Sequence, residues 1–228
     1  MEGAAPRALV VLFPGFEVLD VFGPVEVLGQ AGCAVEFAAA GGAGPVRGGA
    51  GPGPAAVCAE VGAGLSLEAA AGRRWDLLLV PGGPGTRGLV ARPGFLAQLT
   101  ALCAASDRVA SVCTGAALLA ACGALRGRAA TTNKRAWDWV LASSAGARAR
   151  GGEAGVAWQR RARWVADRSG GGGGRGKLVA TSSGVAAGMD LAVWLASDLL
   201  GGGAGEEAAR RCEYAPSTDP DSDPFALP

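Results

Sequence analysis

Four short apolar runs constrain this chain more than any other feature. They are ALVVLF (Ala8 to Phe13), AVEFAAA (Ala34 to Ala40), DLLLVPGG (Asp76 to Gly83) and RVASVC (Arg108 to Cys113), each ended by glycine, proline or the start of a helical stretch. Short, nearly continuous apolar runs of this kind read as strands buried on both faces of a parallel sheet. Helical stretches lie between them. One is Pro24 to Ala31, with proline placed as at a first helical turn, and another is PGFLAQLTALCAAS, Pro93 to Ser106. Strand alternating with helix implies a mostly parallel sheet with helices on both faces.

Later segments fit the same plan. KRAWDWVLASS (Lys134 to Ser144) has helical spacing, and RARWVADR with KLVATSS flanks a glycine run as a hairpin does. VAAGMDLAVWLASDLLGG (Val185 to Gly202) reads as a long buried helix ended by glycines, followed by a short charged helix around Glu206 to Glu213. With 228 residues, half of them hydrophobic, one domain over 1–228 is expected. A surface loop about 41–54, a glycine-rich hairpin tip about 169–176 and an irregular tail about 215–228 complete it.

Charge and composition narrow the partners. Lys and Arg number 21 against 20 Asp and Glu, without a basic block, so a small-molecule substrate is expected and nucleic acid is not. No basic leader precedes the first apolar run, and nowhere do 18 apolar residues follow one another, so no membrane association and a cytoplasmic location are expected. The six cysteines are then read as reduced thiols. No metal is expected, because the chain has no CxxC pair and no histidine. No cofactor is expected either.

The stretch SVCTG puts Cys113 at a strand-to-helix turn, as in a nucleophile elbow, with Gly115 at the +2 position and Ser111 where the −2 glycine would stand. A thiol at a helix start faces free N–H groups, which should stabilise thiolate and lower its pKa. VPGGPG ends the neighbouring strand and offers the amides of Gly82 and Gly83 to developing negative charge. FEVLDVFGP follows the first strand and brings Asp20 to the same edge of the sheet, where a carboxyl group could exchange protons. Read alone, Asp20 also suits a solvated or helix-capping role. Asp190 in GMDLAV is assigned a structural role, and Trp137, Trp139 and Trp194 are assigned to core or interface.

The segments VVLFPGFEVLDVFGP, WDLLLVPGGPGTRGL, SVCTGAALLAACGALRGRAATT, SGVAAGMDLAV and EYAP together resemble the ThiJ/PfpI superfamily of class I glutamine-amidotransferase-like proteins, and in particular its isonitrile hydratase branch. The resemblance implies a flavodoxin-like three-layer α/β sandwich and a homodimer. It also implies a nucleophilic Cys113, an acidic Asp20, and Thr114 following the nucleophile, its amide forming an anion pocket with that of Gly83. One position departs from the pattern: Asn133 stands where the family usually has histidine. A Cys-His dyad is therefore impossible, which disfavours amidase or protease chemistry. The activity so implied is a lyase reaction, cysteine-dependent hydration of isonitriles to N-substituted formamides, with Cys113, Asp20 and Thr114 catalytic and Gly82, Gly83 and Asn133 binding. A redox-responsive, non-catalytic stress protein and a glyoxalase or deglycase are the alternatives.

Overall fold

The four apolar runs become neighbouring strands of one sheet: β1 (Arg7–Leu12), β2 (Ala34–Ala39), β6 (Trp75–Val80) and β7 (Ser106–Ser111). The computed structural model describes residues 4–50, 57–148, 155–169 and 177–226. Its main sheet has seven strands in the order β10-β11-β7-β6-β1-β2-β5, where β5 is Leu65–Ser66, β10 Trp164–Asp167 and β11 Leu178–Ser182. Every pairing is parallel except β10 with β11. The register sets Leu9 beside Leu78 and Leu78 beside Val109, so the centre of the sheet is aliphatic across three strands. The expected flavodoxin-like architecture is present.

The helices fall into two mutually packed groups. One holds α1 (Val18–Gln30), α7 (Ala187–Leu200) and α8 (Ala204–Arg211), joined through Val27, Ala192, Val193, Ala208 and Ala209. The other holds α2 (Leu67–Ala71), α3 (Thr86–Leu89), α4 (Pro93–Ala105), α5 (Gly115–Ala121) and α6 (Trp137–Arg148). Two small ladders complete the chain: β3 (Gly44–Ala50) with β4 (Val57–Ala63), and β8 (Ala129–Ala130) with β9 (Ala157–Trp158). Among the described residues no helix is long and apolar enough to cross a membrane.

Three sequence expectations need correction here. The first helix begins at Val18, and Pro24 lies inside it. Its buried face runs Asp20, Val21, Pro24, Val27, Leu28 at helical spacing, so burial sets the start and the proline ring is carried within. Pro24 lacks the N–H that would bond the Asp20 carbonyl one turn back, a local weakness beside the site. Second, residues 44–50 are not a surface loop. They pair antiparallel with β4, and backbone bonds from Gly15 to Arg47 (2.9 Å) and from Gly49 to Phe16 (2.9 Å) tie them to the loop after β1. A backbone ladder needs no large side chains, so glycine-rich composition misled. Third, α6 starts at Trp137 rather than Lys134, because Asn133 acts as a side-chain cap four residues earlier. Residues 51–54 of the expected loop and 170–176 of the expected hairpin tip lie outside the described residues.

Candidate active site

Between β7 and α5 the chain turns on Cys113, whose φ of 57° is a conformation a non-glycine residue adopts only under constraint. Four backbone-directed bonds supply the constraint. Val112 N–H donates to Val80 O (3.1 Å), Cys113 N–H to Ser183 O (2.9 Å), Gly115 N–H to Val112 O (2.9 Å), and the Thr132 hydroxyl to Cys113 O (2.8 Å). Gly115 completes the turn, since a Cβ there would stand 2.4 Å from the Val80 carbonyl oxygen. The elbow read from SVCTG is thus built from the ends of β6, β7 and β11.

Cys113 is 6% exposed, and its thiol accepts a hydrogen bond from Asn133 Nδ2 at 3.1 Å. The Asn133 amide is locked in that orientation. Its Oδ1 accepts from Arg135 N–H (2.9 Å) and Ala136 N–H (3.0 Å) at the approach to α6, leaving only the NH₂ end to face sulfur. Asn133 therefore supplies a donor of fixed polarity where an imidazole could exchange a proton.

Asp20 is fully buried in the first turn of α1, which excludes the solvated role open to it in sequence. Its Oδ2 accepts Gly82 N–H at 2.8 Å, while Oδ1 has no well-formed partner among the described residues. Burial pushes its carboxyl well above the usual carboxylate range, and the negative charge of half-buried Glu17 adds to that. The Gly82 amide and the neighbouring Cys113 thiol act in the opposite direction. The Cys113 thiol is likewise pushed up, first by burial and then by Asp20, although the Thr114 amide, Asn133 and the Thr114 hydroxyl oppose the shift. The lowered thiol pKa expected from the helix start is therefore not found. Desolvation outweighs the donors, and both groups are shifted toward their neutral forms.

The two glycine amides are not free as expected. Gly82 N–H is taken by Asp20, and Gly83 N–H donates to Thr114 Oγ1 at 2.9 Å. The Thr114 hydroxyl is held there with Thr86, whose Oγ1 lies 3.2 Å away and donates to Gly83 O at 2.7 Å. Thr114 thus braces the Gly82-Gly83 turn rather than orienting Asp20, and its backbone amide serves the sulfur more than its hydroxyl does. Thr86 was missed in sequence. The PGTRGL segment carries it, but nothing in its spacing marks a buried hydroxyl.

Behind the elbow lies a buried ionic network that sequence reading also missed. Asp190 pairs with Arg163 (2.7 Å) and accepts from the Tyr214 hydroxyl and Ser217 N–H, which bears out its structural role. Asp223, in the tail, pairs with Lys134 and Arg163 (3.6 Å each) and accepts from the Ser183 hydroxyl, so the irregular tail is anchored to the residue that holds Cys113 N–H. Trp137 meets Trp158 edge to face at 6.1 Å, and Trp139 lies under Arg87.

Residues 6–196 match the DJ-1/PfpI family. The chain belongs to it. Among curated relatives, an uncharacterised protein in the cpoL 5' region of Streptomyces lividans is 36% identical over 58% of this chain and 91% of its own length. The isonitrile hydratase of Pseudomonas putida is 32% identical over 67% of this chain and 60% of its own length. Among solved structures, DJ-1beta of Drosophila melanogaster superposes with a TM-score of 0.72 at 22% identity, covering 92% of this chain and 99% of that one. A ThiJ/PfpI family protein from Pseudomonas syringae gives 0.72 at 23%, over 94% of this chain and 77% of that one. These structural likenesses bear out the DJ-1/PfpI fold read from the motifs.

Proposed function

We propose that this DJ-1/PfpI protein hydrates isonitriles to N-substituted formamides, with Cys113 as nucleophile and Asp20 as proton carrier. The observation that carries the reading is the pairing of a neutral, water-shielded thiol with a buried carboxyl whose pKa is raised and whose Oδ1 is left open. The 32% identity to an isonitrile hydratase supports it.

An isonitrile carbon has no leaving group, so the reaction asks for a thiol and a proton source and not for an acid that protonates a departing amine. The Cys113 sulfur bonds to the terminal carbon of R–N≡C while the Asp20 proton reaches the same carbon and the thiol proton passes to nitrogen. The product is the protonated thioimidate R–NH⁺=CH–S–Cys113. Asp20, now a carboxylate, takes a proton from water as the hydroxyl adds to that carbon. Cleavage of the C–S bond, with the hydroxyl proton passing to sulfur, then yields R–NH–CHO and restores the thiol. Asn133 Nδ2 and the Thr114 amide hold the sulfur whenever it carries charge. Gly82 holds Asp20 Oδ2 so that Oδ1 faces the reaction. The homodimer and cytoplasmic location expected from sequence remain part of this proposal.

Formamide production from cyclohexyl isocyanide tests it, with Cys113→Ala and Asp20→Asn beside the wild type. Turnover abolished in the first and nearly so in the second is expected. Retained activity in either variant, or an inert folded wild type, overturns the assignment. One observation favours a second reading, a redox-responsive protein without turnover: the fold is shared with DJ-1 proteins, one of them an oxidised form from Toxoplasma gondii at a TM-score of 0.66. Stepwise oxidation confined to Cys113 in an inert protein is the outcome that selects it.

A further inference from the structure

The constraint that keeps Cys113 at a positive φ continues beyond the residues that touch it and closes on one carboxylate. On one side, the Cys113 N–H is held by the Ser183 carbonyl at 2.9 Å, and the Ser183 hydroxyl donates to Asp223 Oδ2. On the other side, the Cys113 carbonyl accepts the Thr132 hydroxyl at 2.8 Å, and the Thr132 carbonyl accepts Lys134 Nζ at 3.3 Å. Lys134 Nζ in turn lies 3.6 Å from the same Asp223 oxygen. Both backbone polar groups of the strained residue therefore lead to Asp223 Oδ2. Asn133, whose amide faces the sulfur, stands between Thr132 and Lys134 on the return arm of this ring.

The carboxylate is itself fixed from outside the ring. Asp223 Oδ1 accepts Phe225 N–H at 3.0 Å and lies 3.6 Å from Arg163 Nη1, and that guanidinium is steadied by Asp190 at 2.7 Å. The side chains of Asp223, Lys134 and Arg163 are 0%, 6% and 9% exposed, so water does not compete for these contacts. Backbone bonds already attach the tail to the segment before β10: Asp223 N–H donates to Arg161 O (2.8 Å), and Arg163 N–H to Pro220 O (2.7 Å). The Asp223 side chain adds what attachment of the tail does not require, a junction between the two arms that grip Cys113.

We propose that Asp223 is a positioning residue for Cys113, its carboxylate holding the elbow in the conformation that presents the sulfur to Asn133 and to the substrate. The role rests on the reading of Cys113 as the nucleophile, and Asp223 itself touches no reacting atom. Without the carboxylate, Ser183 and Lys134 lose their shared acceptor. A non-glycine residue at positive φ persists only while its surroundings enforce it, so the elbow then relaxes toward an ordinary conformation. A displacement of about 1 Å at a reacting atom costs about 100-fold in rate, so the loss falls on kcat rather than on substrate affinity.

The test compares the full chain with Asp223→Ala, and with Asp198→Ala as a control, since Asp198 pairs with Arg108 and Arg168 at the opposite end of β7 from the elbow. Amide hydrogen exchange followed by NMR reads two adjacent groups, the Cys113 N–H bonded to Ser183 O and the Val112 N–H bonded to Val80 O. Asp223→Ala is expected to lower the protection of Cys113 about tenfold relative to Val112. It should lower kcat by about 10–100-fold with KM within about twofold of wild type. Ser183→Ala should reproduce the exchange effect with the ion pairs intact, and Asp198→Ala should change neither the amide ratio nor kcat. Formate, which matches the deleted carboxylate, should restore both readouts in Asp223→Ala, and chloride at equal ionic strength should not. The inference is overturned if Cys113 and Val112 lose protection in step, if Asp198→Ala matches Asp223→Ala, or if formate recovers thermal stability without recovering Cys113 protection. The exchange readout involves no isonitrile, so an inert wild type strikes the proposed hydration while the amides still decide the role of Asp223.

Discussion

Asn133 serves two masters through one planar amide, so its two tasks can be separated by substitution. Its Oδ1 caps the approach to α6 with bonds of 2.9 and 3.0 Å, and its Nδ2 donates to Cys113 Sγ at 3.1 Å. In Asn133→Asp both cap bonds survive, because a carboxylate oxygen accepts them equally well. The donor to sulfur is replaced by an acceptor. A hydrogen bond to a charged group contributes about 1.5 kcal/mol, so its loss raises an already elevated thiol pKa by about one unit. Thiolate being the reactive form, alkylation of Cys113 by iodoacetamide at pH 8 should slow about tenfold while thermal stability stays within roughly 2 °C. Asn133→Ala loses the cap as well, about 1 kcal/mol, and should lower Tm by about 2–4 °C. Mass-resolved alkylation of Cys113 with parallel melting curves reads both effects. An Asp variant that alkylates as fast as wild type would refute the assignment of Nδ2 as the donor that matters.

Three further perturbations have definite outcomes. In Gly82→Ala the new Cβ meets Thr114 N at 2.6 Å and Asp20 Oδ2 at 2.8 Å, so urea unfolding should show a loss of about 1–3 kcal/mol at unchanged slope, together with impaired turnover. Because burial raises the Asp20 pKa, the folded protein binds more protons than the unfolded chain above the ordinary carboxylate range. The stability from its neutral form is complete below about pH 4 and is lost as pH rises through the folded value. Asp20→Asn, which keeps an acceptor for Gly82 N–H, should therefore gain on wild type between pH 5 and pH 8 in urea midpoints. A constant difference counts against the raised carboxyl. Asp223→Ala leaves Lys134 without its carboxylate and Arg163 with Asp190 alone, and should lower stability by about 1–3 kcal/mol in the same assay, whereas a shift below about 0.5 kcal/mol would show the tail anchor to be idle.

The central sheet was legible because ALVVLF, DLLLV and RVAS are strands in which burial on both faces leaves only apolar residues, a pattern few other environments produce. The elbow was legible for a related reason, since small residues must flank a turn as tight as that at Cys113. What escaped depends on side chains meeting across long stretches of chain. Thr86 reaches Thr114, and Asp223 reaches Lys134 and Ser183, through contacts that carry no local period. The β3-β4 arm escaped because pairing through the backbone leaves glycine-rich sequence looking like loop. The thiol pKa was misjudged in direction because the helix start was visible in sequence and the depth of burial around Cys113 was not.

The borders of the main sheet have a consequence for how the protein keeps in concentrated solution. At one border the outermost strand, β5, covers only Ala38 and Ala39 of β2, so the backbone of Ala34 to Phe37 forms most of that rim. Glu36 stands on this rim, held by Arg7 and Arg73. A charged side chain fixed on the outer strand edge obstructs a second molecule from adding its own strand there. At the other border the final strand, β10, is only four residues long and runs against its neighbour's direction. Replacing Glu36 with valine would extend the apolar character of β2 along that rim, and light scattering during storage should then report slow strand-to-strand association that the wild-type protein resists.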